Sequence, residues 1–492
     1  MKKYSKPILI FIISPIIIVS SLVDTPLSDL NQAEKFFLLG KFRQSIIAYQ
    51  DQIRKSENEE IPSYNIGYIY YLESKFDSAS HYCNQSLKYN PQYGPALYLK
   101  GLLNKENGNL HLWGKYLKES LDSHPDKEFP FFELGKFYLK QSNYAEAENY
   151  FRESIHASDI FSIPYPYLAW ALEKQGRNKE AIKVLENGLE TSYDAKILER
   201  LIPLYKKTDQ DEKAQKYSGL FVYLFPEHPF SSQLSKNNPD NSSAMGFKEL
   251  PVREKDSNVF FPVGEEKLYR VSIGPLKVGE LFTAIQDTLI FNGKKVYQVR
   301  FSLDSNPDLA FAAVLHSDYL SYVDMYSKQV ELHYLHTREN EKIWDKVYDF
   351  DRNKHKFVCR TVREDGHIDV IEKYLPRNTI DGTSILFYSR QIVKEKRSER
   401  VMTIIDENFV ISDINYTGKM EPVEVRGQEE NCYLISGTNH YKGIVGFTGD
   451  FRGWFRNSPD HLPVQSDFKI WVGRIKVTTA SEEEQKLHKY SK

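Results

Sequence analysis

Through the first half of the chain, apolar residues recur at helical spacing in paired runs separated by short polar breaks. SYNIGYIYYLESKFDSASHYCNQSLKYNP (residues 63–91) and FFELGKFYLKQSNYAEAENYFRESI (residues 131–155) each carry apolar positions on both sides of such a break, SKFD or QSNY. Each unit therefore reads as two helices joined by a tight turn. The units keep a 34-residue beat: Ala33, Gly67, Gly101, Gly135 and Ala169 form one comb. Ser45, Ala79, Trp113, Ala147 and Ala181 form a second, and Tyr49, Cys83, Leu117, Phe151 and Leu185 a third. A small residue on each helix permits close approach, and the bulky residue one turn later fills the gap to the next hairpin, as a stacked array requires. Pro91 and Pro125 stand at unit boundaries, where proline can open a turn without breaking a helix.

After residue 259 the period changes from helical to two. LFTAIQDTLIF and KKVYQVRFSL flank Asn292-Gly293, the pair suited to the positive φ angles of a type I′ turn, and KFVCRTVRE and HIDVIEKYL flank Asp365-Gly366 in the same way. Continued alternation predicts roughly ten antiparallel strands rolled into one curved sheet or partly closed barrel. Residues 308–316 and 383–394 interrupt the alternation and are expected as short helices. Residues 231–258 are rich in Asn, Ser and Pro and read as a linker, while residues 481–492 form a polar tail. The fold class is thus multidomain α + β: a helical superhelix of five to six repeats over residues 29–230, then a mostly antiparallel β half-barrel over residues 259–480.

Residues 1–23 form a separate object. Lys2, Lys3 and Lys6 precede PILIFIISPIIIVSSLV, an apolar run closed by Asp24 and Pro26. This predicts export of everything that follows, with the run acting as a signal peptide or an N-terminal membrane anchor, and hence a periplasmic or cell-envelope location. No cysteine directly follows the run, so a lipoprotein anchor is not expected. A net charge of −2 removes the basic footprint that nucleic acid or an anionic membrane surface would need. Aromatic residues reach 14%, with 33 tyrosines.

Candidate chemistry is sparse. Of three cysteines, Cys83 sits on the bulky apolar comb, whereas Cys359 and Cys432 lie on alternating segments. These two could pair in an oxidising compartment, the alternative being two unpaired strand cysteines. His333, His336 and Glu339 would share a helix face, but on a strand the two histidines point to opposite sides, so no metal site is expected. No G-x-S-x-G elbow, P-loop or H-E-x-x-H motif occurs; neither a catalytic set nor a cofactor is expected.

The first-half units resemble the tetratricopeptide repeat, with Gly67, Tyr70, Ala79 and Pro91 on its signature positions in the second unit and Gly135, Tyr138, Ala147 and Phe151 in the fourth. A sixth unit is weaker, with Pro203 inside its first helix, and Trp113 takes a small position in the third, which should push its helices apart. The resemblance implies a right-handed superhelix whose concave wall receives an extended peptide or partner segment. On this chain that wall would carry Tyr64, Asn65, Tyr68, Tyr71, Tyr98, Phe132, Lys136, Tyr167 and Trp170. It is aromatic rather than basic, which suits adaptable contacts to a peptide or a sugar face, and Asn65 is placed to bond a bound main chain.

The second half resembles the exported bacterial family called domain of unknown function 3108. The similarity rests on YRVSIGPLKVGELFTA with Tyr269, Gly274 and Gly279, on SILFYSRQI with Leu386, Tyr388 and Arg390, and on the closing Asp460 to Pro463 turn. It implies a half-barrel similar to periplasmic lipoprotein carriers. Two functions remain in view. One is a non-enzymatic envelope protein whose repeats recruit a protein partner and whose β domain holds or docks a lipid-like, lipoprotein or polysaccharide segment. The other is a sugar-active envelope hydrolase with the repeats as targeting module.

Overall fold

The computed structural model describes residues 30–55, 59–237, 261–306, 315–339, 342–440, 447–470 and 473–485. The expected signal or anchor, most of the expected linker and most of residues 308–316 lie outside the described residues.

Six helix hairpins follow one another: α1 and α2 (Gln32–Leu38, Phe42–Lys55), α3 and α4 (Glu60–Leu72, Phe76–Tyr89), α5 and α6 (Gly94–Glu106, Leu110–Ser120), α7 and α8 (Glu128–Lys140, Tyr144–Ala157), α9 and α10 (Tyr165–Lys174, Asn178–Thr191), and α11 and α12 (Ala195–Lys207, Asp211–Leu224). Every position of the three combs is buried. The small positions are small for steric reasons: a Cβ on Gly135 would lie 2.4 Å from a ring carbon of Phe151. Trp113 is accommodated by packing edge-on against Phe137 of the next hairpin, with ring centroids 5.3 Å apart. The sixth unit forms despite Pro203, and the chain continues into α13 (Pro229–Asn237), so the expected linker begins as a helix whose Leu234 packs on the core.

The sheet contains fifteen strands, more than the sequence pattern resolves: β1 (Glu266–Ile273), β2 (Leu276–Phe291), β3 (Lys294–Ser305), β4 (Leu315–Asp324), β5 (Val330–Glu339), β6 (Lys342–Asp351), β7 (Lys356–Arg363), β8 (Ile368–Tyr374), β9 (Thr379–Asp381), β10 (Glu399–Ile405), β11 (Asn408–Val425), β12 (Gln428–Asn439), β13 (Phe447–Arg456), β14 (Pro463–Ile470) and β15 (Gly473–Thr479). Their order runs from β8 down to β1, then from β15 down to β9, so the first and last strands pair at the centre, with Val271 opposite Val477. All pairings are antiparallel except β9 with β10. Asn292-Gly293 turns the β2–β3 hairpin with φ of 48° and 78°, as a type I′ turn demands.

Edge strands β8 and β9 are joined by residues 375–378 alone. Fifteen flat strands would hold the two edges roughly 67 Å apart, whereas the link can span no more than about 18 Å. The sheet must therefore roll until β9 comes to lie against β5, near the opposite edge. Arg352 marks the seam, donating to Val330 O on β5 (2.7 Å) and Thr379 O on β9 (3.0 Å). Helix α14 (Ser384–Glu395) forms where a helix is expected and occupies the inside of the curl. Its Phe387 packs on Phe261, Tyr297 and Val299, its Ile392 and Val393 on Val401, Ile414 and Ile435, and its Arg390 grips Glu265 through both nitrogens (2.7 and 3.0 Å).

The structure corrects the expected helix at residues 308–316 where it is described, decides between the two cysteine readings, and adds a turn that the sequence pattern does not signal. Leu315 and His316 open β4 rather than ending a helix. Cys359 and Cys432 are both free: Cys359 sits near Glu407 (3.6 Å), while Cys432 belongs to a separate cluster with Val423, Leu434 and Trp454. The β10–β11 turn, Asp406-Glu407, adopts positive φ (46° and 61°) without a glycine. That conformation costs energy in non-glycine residues, and here it is held by the Lys346–Glu407 ion pair (2.5 Å) and by Lys373 Nζ donating to Glu407 O (2.7 Å).

Two outcomes follow from these packings. Gly135→Ala should lower stability by about 1–3 kcal/mol through overpacking against Phe151, read as an earlier urea midpoint with an unchanged far-ultraviolet spectrum. Burial and the Glu407 charge push the Asp406 carboxyl up to about 6 from its ordinary 3.8. The folded state then holds the proton longer than the unfolded state, so this group's contribution is fully present below the unfolded value and fades as pH rises through 6. Asp406→Asn, which mimics the neutral acid and tolerates positive φ, should raise Tm by several degrees near pH 8 and show a shrinking gain towards pH 4.

Candidate functional site

The concave wall of the repeats meets the edge of the sheet. Strand β8 pairs with β7 on one side, leaving its other row of main-chain groups to find partners elsewhere. Helix α3 supplies them. Asn65 Nδ2 donates to Gly366 O (2.9 Å), Tyr64 hydroxyl donates to Ile368 O (3.2 Å), and Tyr68 hydroxyl accepts from Val370 N (3.3 Å). Ile368 and Val370 are alternate residues of β8, and Gly366, with φ of 85°, lies in the turn that leads into it; all three are met by side chains of one helix. Burial pushes the Tyr64 and Tyr68 hydroxyls well above the ordinary tyrosine range.

The remaining wall residues divide into two groups. Tyr71 stacks on Tyr68 (6.4 Å), and Tyr98 meets His124 edge-on (5.4 Å), which in turn meets His367 (6.0 Å). Phe132 is buried against Phe161 and Tyr167, with Lys136 above its ring. Trp170 alone is exposed, at 37%. Arg200 lies over its ring (5.3 Å) and bonds Glu173 (2.9 Å). Around this pair is a cleft of about 320 Å³ lined by Pro166, Tyr167, Glu173, Lys196 and Glu199 as well. The array thus brings together two halves of a groove: one closed by β8, one open at Trp170.

Beside the closed half, where repeats and sheet meet, lies a cavity of about 610 Å³ whose walls include Asp126, Glu128, Lys346, Arg363, His367, Lys373 and Glu407. Arg363 Nε donates to Asp369 (2.9 Å), and its NH1 lies 3.5 Å from Asp126 of the α6–α7 loop. His367 stands between Asp365 and Asp126. Burial alone would lower His367, but the Asp126 and Asp365 carboxylates outweigh it and push it up to about 9. Burial and the neighbouring His367 push His124 down to about 3, and burial followed by the Asp126 charge pushes Glu128 up to about 7. None of these residues stood out in the sequence, because Asp126 and the β7–β8 hairpin become neighbours only when the domains dock.

His333 is a strand residue of β5, as is His336, and the two make separate contacts. His336 Nδ1 faces Asp345 (2.9 Å). His333 Nδ1 lies 2.8 Å from both Ser321 Oγ and Asp381 Oδ2. Asp381 Oδ2 also accepts from Ser321 (2.9 Å) and Thr383 (2.7 Å), and Asp381 Oδ1 accepts from Ser384 N (2.7 Å) at the start of α14. Burial would raise Asp381, but the bonds from His333, Ser384 and Thr383 prevail and hold it well below the carboxylate range. A serine, histidine and aspartate are here in contact, yet the serine is fully buried and donates to the aspartate itself. The arrangement ties β4, β5, β9 and α14 together rather than presenting a nucleophile.

Comparison with known proteins separates the same two halves. A family model described as "Protein of unknown function (DUF3108)" matches residues 268–479, and a tetratricopeptide repeat model matches residues 63–93 and 131–158. A tetratricopeptide repeat-containing protein of Methanocaldococcus jannaschii is 29% identical over 156 residues, which is 32% of this chain and 26% of that protein, so the match spans about a quarter of the relative's length. Among solved structures, pilF of Pseudomonas aeruginosa is similar at 16% identity with a TM-score of 0.38, covering 42% of this chain and 94% of that one. PilW, a type IV pilus biogenesis factor, is similar at 18% identity and a TM-score of 0.38, covering 41% and 94%. The chain therefore carries tetratricopeptide repeats in its N-terminal half and, over residues 268–479, a domain of the DUF3108 family.

Proposed function

We propose that this is a non-enzymatic, exported bacterial envelope protein that recruits a protein partner through its repeats and uses its β domain as a docking support. Tetratricopeptide repeats characteristically serve protein–protein interaction. The observation that carries the reading is the chemistry of α3: Tyr64 and Tyr68 bond the main chain of an extended segment at alternate residues, Ile368 and Val370, and Asn65 bonds Gly366 O in the turn that leads into it. That is how an extended peptide is read irrespective of its side chains. Since β8 takes this part of the groove, an external segment is assigned to the open part, where Trp170, Tyr167 and Arg200 offer an aromatic anchor with polar neighbours. Carriage of a lipid-like or polysaccharide segment inside the curl is disfavoured by α14, which fills that space. The basic start and apolar run of residues 1–23 support export.

The reading is tested on the full chain extracted gently from its own envelope and weighed by native mass spectrometry. A bound polypeptide of defined mass is expected, lost from the double variant Trp170→Ala, Arg200→Ala without loss of helicity. Tyr68→Ala should instead leave the partner bound and speed amide exchange in β8. Recovery of a lipid alone, or turnover of a glycan by the pure protein, would overturn the assignment.

A further inference from the structure

We propose that Asp126, His367 and Asp369 form a divalent-cation site, of the class that takes zinc, clipping the β7–β8 hairpin to the repeats. Each residue offers one ligand atom, and the three atoms lie within 4.8 Å of one another. They come from both domains, Asp126 from the α6–α7 loop, His367 from the residue just before β8 and Asp369 from β8 itself. His367 and Asp369 are 2% and 8% exposed.

Three features set the residues up as ligands rather than as ordinary ion pairs. First, Arg363 holds one oxygen of each carboxylate, Asp126 Oδ1 and Asp369 Oδ2, and His367 Nε2 faces Asp126 Oδ2, while Asp369 Oδ1 is buried with no hydrogen-bond donor. A buried carboxylate oxygen without a donor is costly, and a cation is the partner that such an atom lacks. Second, His367 Nδ1 is engaged by Asp365 (2.5 Å), which turns Nε2 towards Asp126, 3.2 Å away. A carboxylate behind one imidazole nitrogen is the usual means of orienting a metal-ligating histidine. Third, the charges favour the exchange. Three carboxylates, Asp126, Asp365 and Asp369, are gathered around the single guanidinium of Arg363, a surplus of two negative charges. A divalent cation bound by a neutral imidazole offsets that surplus. The imidazole proton is released to solvent, and no redox step is involved.

One imidazole and two carboxylates form a borderline-hard donor set suited to zinc. Zinc bonds of about 2.0–2.2 Å place neighbouring ligand atoms roughly 3.4 Å apart, so the aspartates close inward on binding. Asp126 and His367 line the interdomain cavity, which leaves the fourth position open to it.

The test uses the tag-free full chain, stripped with a chelator and titrated with zinc by calorimetry, with cobalt(II) as the spectroscopic probe. One equivalent should bind, with proton release, a rise in Tm and the visible bands of low-coordinate cobalt. Asp369→Asn and His367→Gln should each weaken binding at least tenfold. The wild-type titration decides the matter even if a variant misfolds. Absence of saturable binding, or equally tight binding by both variants, would overturn the site and leave the cluster an interdomain ion-pair network.

Discussion

Everything in the arrangement of the two halves depends on how the free edge of β8 is satisfied. An edge strand exposes a row of main-chain donors and acceptors, and left open it templates pairing with another chain. Here Asn65, Tyr64 and Tyr68 meet Gly366 O, Ile368 O and Val370 N in turn. Further main-chain bonds follow along the same seam: Arg377 N donates to Leu224 O (2.7 Å), and Tyr193 N to Phe409 O (2.7 Å). The repeats thus act as a cover for the sheet, and the sheet as a ligand for the repeats. Side chains of the β7–β8 hairpin add to these backbone bonds, His367 on Asp126 and Lys373 Nζ on Ser162 Oγ (2.8 Å).

The second constraint is closure. A four-residue connection between the two edges of a fifteen-strand sheet requires the sheet to roll, and rolling creates an interior that has to be filled. Helix α14 fills it, entering immediately after β9, with Asp381 as the joint. One oxygen of that carboxylate accepts from Ser384 N at the helix start, and the other gathers Ser321, Thr383 and His333 from the surrounding elements. A charge so completely bonded stays ionised while buried, and the site gains direction from it. What looks at first like a set of catalytic residues serves to seat a helix.

Local features were legible in the sequence and tertiary ones were not. The three combs located the first five hairpins because small and bulky residues at fixed spacing report directly on interhelix distance, as Gly135 beside Phe151 illustrates. Asn292-Gly293 located a turn because only certain residues adopt its φ angles cheaply. By contrast, Asp406-Glu407 adopts the same kind of turn without the signal, since its support comes from Lys346 and Lys373 on other strands. Cys359 and Cys432 are both strand cysteines, and alternation cannot say that they belong to different parts of a rolled sheet. Of the groove residues, Asn65 could be placed towards a main chain, but not towards this chain's own strand. Asp126 and His367 were invisible as a pair for the same reason.

Self-occupation also bears on which part of the groove is available to another molecule. A segment carried on the same polypeptide faces the groove at an effective concentration on the order of millimolar. A free peptide contesting the second repeat would have to overcome that advantage and leave the β8 main chain unpaired, at about 1–3 kcal/mol for each buried group stripped of its partner. The fifth and sixth repeats carry no such competitor: Trp170 is the one wall ring left exposed, and Arg200 already stacks on it. Selection by cost therefore sends an incoming segment to the Trp170 cleft, while the Tyr64–Tyr68 face remains committed to holding the two domains together.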